Sequence, residues 1–167
     1  MGALKTLIFT VIVPGTEAIL IPYLLLSSGF EIFSRGLGVV RFLGLLPIVI
    51  GALIYFRCAW DFTFSGSGTP APIDPPKKLV VRGFYRFVRN PMYIGVSLPL
   101  FGEALLFESA TLLVYAAVVL LTFHLFVMCY EEPHLRRKFG DSYKSYCDAV
   151  PRWLPDIRSL MKGQATL

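Results

Sequence analysis

Basic and aromatic side chains alternate in one short stretch of an otherwise apolar chain, "LVVRGFYRFVRNPMYIG" at residues 79–95. Tyr85, Arg89 and Tyr93 follow one another at the spacing that places side chains on one face of a helix. Pro91 disfavours helical backbone at the residue before it, so we predict a short helix that ends or bends at Asn90. Such a stretch either anchors the chain to lipid head groups, with its rings in the interfacial aromatic belt, or forms a ligand site.

A pair of adjacent carboxylates, Glu131 and Glu132, follows the last apolar stretch of the chain. We expect the pair at the C-terminal end of a helix, where negative charge opposes the macrodipole. Two neighbouring carboxylates also repel each other. Arginines just downstream could compensate the charge, and so could a bound cation or a hydroxyl-rich ligand. The pair therefore marks a second candidate position for chemistry.

The composition is that of an integral membrane protein. Of the 167 residues, 55% are apolar and only 16% are charged, and the mean hydropathy is +0.64. Soluble domains carry about 25% charged residues. Basic cytoplasmic loops near anionic lipids explain the net charge of +5 better than nucleic acid does. Cys58, Cys129 and Cys147 lack metal-ligand spacing, so we predict packing roles for them and no metal site.

Four apolar stretches predict an all-α, polytopic domain with about four transmembrane helices, since each span needs roughly 20 apolar residues. The third stretch is short for a full span. Only a few residues, including Glu108 and Ser109, separate it from the fourth, so these two form a tight antiparallel hairpin. Pro14 and Pro22 predict a kink in the first. The stretches are residues 7–26, 37–60, 94–107 and 111–128.

Loop charges predict the orientation and the organisation of the single domain, 1–167. Lysine and arginine are concentrated before the hairpin and after it, so both termini and both basic segments should be cytoplasmic. We find no signal peptide pattern. The Gly- and Pro-rich residues 64–78 cannot form a helix or a strand of any length. The predicted parts are two N-terminal spans at 1–60, a cytoplasmic linker and candidate ligand segment at 61–93, the hairpin at 94–129 and a cytoplasmic helical tail at 130–167.

Ionisable residues inside the apolar stretches are functional candidates by default. Glu17 and Glu103 are the two carboxylates of this kind, and Arg57 is a candidate partner for either. His124, within the fourth stretch, fits a packed or hydrogen-bonded core histidine better than a catalytic one.

The ordered motifs resemble the isoprenylcysteine carboxyl methyltransferase and phospholipid methyltransferase superfamily. They are the Arg-Asn-Pro-x-Tyr-x-Gly block, an apolar hairpin, the double glutamate, a Phe-Gly and a closing Val-Pro-x-x-x-Pro. The resemblance covers roughly residues 66–156. It implies a methyl transfer to a lipid-like acceptor, either isoprenylcysteine-carboxylate-like or phospholipid-like, at the cytoplasmic membrane interface.

The resemblance also implies S-adenosylmethionine as the cofactor and methyl donor. An apolar acceptor would approach from the bilayer while this donor arrives from the cytosol. The residues that the resemblance assigns to cofactor binding are Lys77, Lys78, Leu79, Val80, Tyr85, Arg89, Asn90, Pro91, Met92, Tyr93, Glu131 and Glu132.

Two positions depart from the family pattern. Asn90 stands where the family usually has histidine, so a proton-transfer role there is excluded. Val127 stands where eukaryotic isoprenylcysteine enzymes place a substrate-binding arginine, which leaves open a different lipid-like or small apolar methyl acceptor. Two other classes remain open: an NADPH-dependent membrane enzyme like the sterol reductases, and a non-catalytic four-span protein.

Overall fold

The computed structural model describes residues 2–29, 36–65, 79 and 81–155 of the chain. Every regular element in these residues is a helix, so the predicted all-α fold is confirmed for them. Apolar side chains lie exposed along the helices; Ile19, for example, is 71% exposed and Leu53 is 65% exposed. Extended apolar surface of this kind is rare on soluble monomers and is expected where a protein faces lipid.

Three of the described helices are long and apolar enough to cross a membrane. They are Thr6–Ser27, Gly38–Asp61 and Ala110–Phe139, with 22, 24 and 30 residues. Pro91–Leu106 is also apolar but has only 16 residues. At about 1.5 Å per residue it is about 24 Å long, shorter than the roughly 30 Å hydrocarbon core of a bilayer. The lengths indicate an integral membrane protein, and the predicted count of four spans stays a prediction.

The first apolar helix changes its geometry in the middle. α1 (Gly2–Gly15) passes through a π-helical turn, Thr16–Leu20, into α2 (Ile21–Ser27). Pro14 has no N–H to donate to the preceding turn, so the regular hydrogen-bond pattern is disturbed there. The irregularity that the sequence predicts near Pro14 takes the form of this π turn, which contains Glu17.

Backbone contact between two helices forms the centre of the fold. A 3₁₀ turn leads into α3 (Leu45–Ser65), which packs along α4 (Pro91–Leu106). A Cβ atom on Gly95 would lie 2.8 Å from the backbone nitrogen of Tyr55, and one on Gly51 would lie 2.8 Å from the Gly95 carbonyl oxygen. Side chains do not fit at such distances, so glycine at these positions permits the close crossing.

Arg57 does not pair with either intramembrane glutamate. Its guanidinium lies 2.6 Å from the carboxylate of Asp61, one helical turn further along α3. The predicted pairing with Glu17 or Glu103 is therefore wrong. Asp61 is 3% exposed, and the arginine one turn away compensates part of its buried charge.

The predicted tight hairpin is confirmed. Phe107, Glu108 and Ser109 alone separate α4 from α5 (Ala110–Phe126). The Ser109 hydroxyl caps α5, because its oxygen accepts a hydrogen bond from the backbone N–H of Leu112 at 3.1 Å.

The short helix predicted before Pro91 is present but ends at Arg86 and not at Asn90, and Pro91 begins the next helix. Proline suits the first position of α4, where its missing N–H would have no partner within the helix. The preceding residues form only a 3₁₀ turn, Gly83–Arg86, and Asn90 flanks the start of α4. The restriction that proline places on its predecessor is met equally at the start of a helix and at its end.

The helix of the last apolar stretch continues past the acidic pair. α5 passes through a π turn, Val127–Glu131, into α6 (Glu132–Phe139). The predicted position of the two glutamates at a helix C-terminus is therefore wrong. Repulsion with the macrodipole does not apply to them, and their charges must be compensated by partners in the fold.

A small cluster of tyrosines closes the described chain. Gly140, with a φ of 51°, ends α6 and leads into α7 (Asp141–Ala149). Tyr143 and Tyr146 of α7 are buried, and Leu79 packs against them. This cluster ties α7 to the segment that precedes α4.

The predicted linker at 64–78 is described only at its start. α3 extends to Ser65, so the first two residues of the linker are helical. Residues 66–78 lie outside the described residues, and the prediction for them stays a prediction.

Candidate active site

The segment before α4 is hydrogen-bonded to residues 150–154 near the end of the described chain. The backbone N–H of Arg89 donates to the carbonyl oxygen of Pro151 at 2.9 Å. The side-chain amide of Asn90 donates to the carbonyl oxygen of Arg152 at 3.2 Å. Two stretches separated by about sixty residues in the sequence are thereby held side by side.

Tyr85 anchors the 3₁₀ turn of this segment. Its carbonyl oxygen accepts a hydrogen bond from the Tyr146 hydroxyl at 2.7 Å. Burial raises the pKa of Tyr85 well above its usual value, so its hydroxyl stays protonated. Gly83 has a φ of 56°, and a Cβ there would clash with the Asp61 carboxylate, so the turn packs directly on the end of α3.

Glu132 holds two arginines in what we term the Glu132 clamp (Glu132, Arg89 and Arg152). Arg152 donates to both carboxylate oxygens, at 2.7 and 3.0 Å. Arg89 lies 3.1 Å from the same carboxylate. Such two-pronged, charge-assisted contacts are stronger than neutral hydrogen bonds, and they raise the pKa of Arg152 above its usual value. Glu132 itself is only 5% exposed, so the clamp is a buried ionic tie.

Glu131 has a different partner. The hydroxyl of Tyr93, in the first turn of α4, donates to its carboxylate at 2.7 Å. In the described residues, the other oxygen of Glu131 has no hydrogen-bond partner. The π turn that ends at Glu131 directs this carboxylate towards α4, and π turns are frequent at functional sites.

Aromatic side chains surround the Tyr93 ring and form what we term the aromatic wall (Tyr93, Phe123 and Trp153). The Phe123 ring centroid lies 4.9 Å from that of Tyr93. The Trp153 ring centroid lies 6.5 Å from that of Tyr93, with an angle of 68° between the two ring planes. The indole N–H of Trp153 donates to Nδ1 of His124 at 3.1 Å, which fixes the indole ring. The Glu131 carboxylate, with one oxygen bonded to Tyr93 and the other without a described partner, can bind a cationic or hydroxyl-bearing ligand beside these flat aromatic faces.

Some predicted site residues serve packing or lie outside the description. Lys77, Lys78 and Val80 are outside the described residues. Leu79 packs on the tyrosine cluster, and Met92 packs on the core between α3 and α4.

The other predicted residues divide between structural ties and the site itself. Tyr85 and Pro91 are buried in the packing. Arg89, Asn90 and Glu132 hold residues 150–154 in place. The two predicted residues that remain are Tyr93 and Glu131, and the structure brings them together as a hydrogen-bonded pair.

Sequence reasoning did not find Arg152, Trp153 or His124. Arg152 and Trp153 lie in "VPRWLP", the closing motif of the resemblance, to which no role was assigned. An arginine beside a tryptophan in a polar tail was the available signal. His124 was expected in the core, and it does form a hydrogen bond, with Trp153.

Comparisons with known proteins identify the family of the chain. Residues 39–142, well over half of the chain, match the sequence profile of the phospholipid methyltransferase family. Phosphatidylethanolamine N-methyltransferase of Malassezia globosa is 43% identical over 65 residues, which are 39% of this chain and 7% of that protein. Protein-S-isoprenylcysteine O-methyltransferase of Schizosaccharomyces pombe is 34% identical over 79 residues, 47% of this chain and 34% of that protein.

A plant relative shows the same similarity. Protein-S-isoprenylcysteine O-methyltransferase B of Arabidopsis thaliana is 32% identical over 80 residues, 48% of this chain and 41% of that protein. The chain thus spans less than half the length of each of these three relatives. The resemblance read from the motifs is confirmed at the level of the superfamily, and the chain belongs to the phospholipid methyltransferase family.

Proposed function

We propose that this protein transfers a methyl group from S-adenosylmethionine to a lipid-like acceptor at the cytoplasmic face of the membrane. The observation that carries the proposal is the Tyr93–Glu131 pair, 2.7 Å apart and beside Trp153, at one end of the helical hairpin. The activities for which the relatives are named, methylation of phosphatidylethanolamine and of isoprenylcysteine, support the reaction class.

The residues at this pair fit the proposed cofactor. The Glu131 oxygen that has no partner among the described residues can accept a hydrogen bond from a ribose hydroxyl or from an ammonium group. The faces of Tyr93 and Trp153 attract a sulfonium by about 0.5–2 kcal/mol. The proposal also has Lys77 and Lys78 bind the methionyl carboxylate of the cofactor. When bound, S-adenosylmethionine supplies an electrophilic methyl group.

The protein's own task is to align the reactants and to keep water away. Such positioning can contribute several kcal/mol to lowering the barrier. The Glu132 clamp fixes Arg152, and therefore the neighbouring Trp153, against the first turn of α4. Tyr93 orients the Glu131 carboxylate through its hydroxyl. Both arrangements restrict the orientation of their side chains, which reduces the ordering needed on binding.

The membrane orientation in the proposal follows from the basic loops. Lysines and arginines before α4 and after α5 favour the cytoplasm for both segments, and hence for the site. The exposed apolar faces of α3 and α5 support approach of the acceptor from the bilayer.

Ligand-induced stabilisation in detergent tests the proposal. A ligand that binds only the native state adds about 2.7 kcal/mol at a hundredfold excess over its Kd. We expect S-adenosylmethionine and S-adenosylhomocysteine to raise the thermal transition of the purified protein, and NADPH to leave it unchanged. Stabilisation by NADPH instead would favour a reductase, and no response to any of the three would contradict a cofactor site at the Tyr93–Glu131 pair.

A further inference from the structure

A cavity separates the first helix from the pair formed by α3 and α4. Its volume is about 650 Å³, within the roughly 300–1,000 Å³ of small-molecule pockets. Its lining comes from α1, the π turn and α2 on one side and from α3 and α4 on the other. Most of the lining side chains are apolar, among them Pro14, Ala52 and Val96. The cavity extends along α4 from Gly95 to Glu103, about 12 Å along the helix axis.

One acidic side chain lines this cavity in the described part of the chain, and it lacks a partner. Oε2 of Glu103 is buried and makes no hydrogen bond to any described residue. An ionisable group inside a membrane is costly when it is unpaired, and a buried acceptor without a donor adds to that cost. The described lining includes no lysine, arginine or histidine, and Arg57 is already paired with Asp61. The described residues therefore leave this carboxylate for a ligand to compensate.

Two hydroxyl groups in the lining are already engaged with each other. The Thr10 hydroxyl donates to the carbonyl oxygen of Thr6 at 2.8 Å. The Tyr55 hydroxyl lies 2.9 Å from the Thr10 oxygen and is therefore the donor of that hydrogen bond. Both hydroxyl protons are thus used, and neither is available to Glu103. The same hydrogen bonds fix α1 against α3 beside the cavity.

We propose that this cavity is a second ligand site, separate from the candidate active site, and that it binds a single-chain amphiphilic amine with its ammonium group on Glu103. The ammonium supplies the positive charge and the N–H donors that Oε2 lacks. The apolar chain fills the cavity towards Gly95. A hydroxyl head supplies a donor but no charge, so it fits less well. Ile19 lines the cavity and is 71% exposed, so the ligand can enter from the bilayer.

Position separates this site from methyl transfer. Glu103 lies in the last turn of α4, ten residues after Tyr93 and about 15 Å from it along the axis. An amine on Glu103 is therefore too far from the Tyr93–Glu131 pair to be the methyl acceptor, and the inference does not depend on the proposed function. Phosphatidylethanolamine also carries an ammonium, but its phosphate would lie near the Glu103 carboxylate and repel it. The bound amine would contact the first helix, α3 and α4 together and hold them against one another.

Photocrosslinking tests the site without requiring activity. The probe is a long-chain primary amine with a diazirine in its alkyl chain, added to the protein in phosphatidylcholine nanodiscs. Mass spectrometry identifies the crosslinked residues. We expect saturable crosslinking to lining residues of α3 and α4, with dodecylamine competing about tenfold better than dodecanol. Phosphatidylethanolamine added to the nanodiscs should compete no better than dodecanol.

Adjacent positions on α3 provide a matched control. Ala52→Phe fills the cavity and should abolish the saturable crosslinking. Leu53→Phe, at a side chain that is 65% exposed, should leave it unchanged. Glu103→Gln keeps the shape of the side chain and removes its charge, so it should weaken the amine probe about tenfold and leave competition by dodecanol unchanged. Thermal transitions without ligand establish that each variant is folded; if Ala52→Phe is not, the Glu103→Gln comparison decides.

Each outcome has a defined meaning. Crosslinking that does not saturate, or that persists equally in Ala52→Phe and Glu103→Gln, would mean ordinary lipid contact and would overturn the site. Equal competition by dodecanol, or an unchanged amine affinity in Glu103→Gln, would overturn the ammonium head. Strong competition by phosphatidylethanolamine would overturn the single-chain ligand. Saturable, charge-dependent crosslinking that only the cavity-filling and charge-removing variants disturb would support the proposal.

Discussion

Replacing Arg152 by alanine removes the two strongest contacts of the Glu132 clamp. Two hydrogen bonds, of 2.7 and 3.0 Å, are lost, while Arg89 remains 3.1 Å from the same carboxylate. Breaking a fully buried pair costs about 3–5 kcal/mol, because a charge is left without compensation. Here the second arginine remains, and the Arg152 side chain is 29% exposed, so we expect a smaller loss of about 2–3 kcal/mol in the free energy of unfolding.

Unfolding by SDS in mixed micelles measures this loss, and a double-mutant cycle with Glu132→Gln isolates the pair. We expect a coupling energy of about 1.5–3 kcal/mol between the two positions. Arg152→Lys keeps the charge but not the planar fork, so it should restore less than half of the loss. Strict additivity of the two single variants, or a loss below about 0.5 kcal/mol for Arg152→Ala, would refute the assigned role.

Three further outcomes follow from the contacts. Tyr93→Phe removes the hydrogen bond to Glu131 but keeps the ring. Measured by calorimetry, it should weaken S-adenosylmethionine binding about tenfold, equivalent to about 1.4 kcal/mol. Glu131→Gln should weaken this binding at least as much, and an unchanged affinity in both variants would contradict the site. Gly95→Val should lower the unfolding free energy by about 1–3 kcal/mol or more, since no space exists for its side chain against α3. Gly36→Ala should not lower it, because a Cβ at Gly36 would have no described atom within 4 Å. Gly83→Ala should cost at least about 1–2 kcal/mol, because its φ of 56° is unfavourable for alanine and a Cβ there would also clash with the Asp61 carboxylate; a thermal transition equal to that of Gly36→Ala would contradict this.

The membrane helices were largely readable from the sequence. Lipid demands uninterrupted apolar runs of a fixed length, and that demand is local. The break at Phe107–Ser109 was readable for the same reason, since only three residues separate two apolar runs. Pro14 also gave a correct local signal, because its missing N–H disturbs the helix wherever the helix lies.

The helix boundaries near the site were not readable. Glutamate is a good helix former, so nothing in Glu131 and Glu132 requires the helix to end there. Its continuation to Phe139 depends on the arginine and tyrosine partners that the carboxylates find in the fold. Pro91 was ambiguous in a different way, because proline's local restriction fits both the start and the end of a helix.

The long-range ties could not be inferred from spacing. Arg152 and Glu132 are twenty residues apart, with Gly140 and a further helix between them. Which of several arginines in the tail meets the carboxylate depends on how α7 folds back. The way α7 folds back also brings Trp153 to the first turn of α4, so the aromatic wall could not be predicted from the sequence alone.

The two adjacent glutamates differ because neighbouring residues on a helix point about 100° apart. Glu131 faces Tyr93, and Glu132 faces the arginines, so one ligand cannot engage both in the same way. The ionic tie already occupies both oxygens of Glu132, whereas Glu131 retains one oxygen for a ligand. Glu132→Gln should therefore lower mainly the free energy of unfolding, and the affinity for S-adenosylmethionine only as a consequence. Glu131→Gln should lower mainly that affinity, and the free energy of unfolding only as a consequence. If the two variants lowered affinity equally at equal stability, the division of roles between the two carboxylates would be wrong.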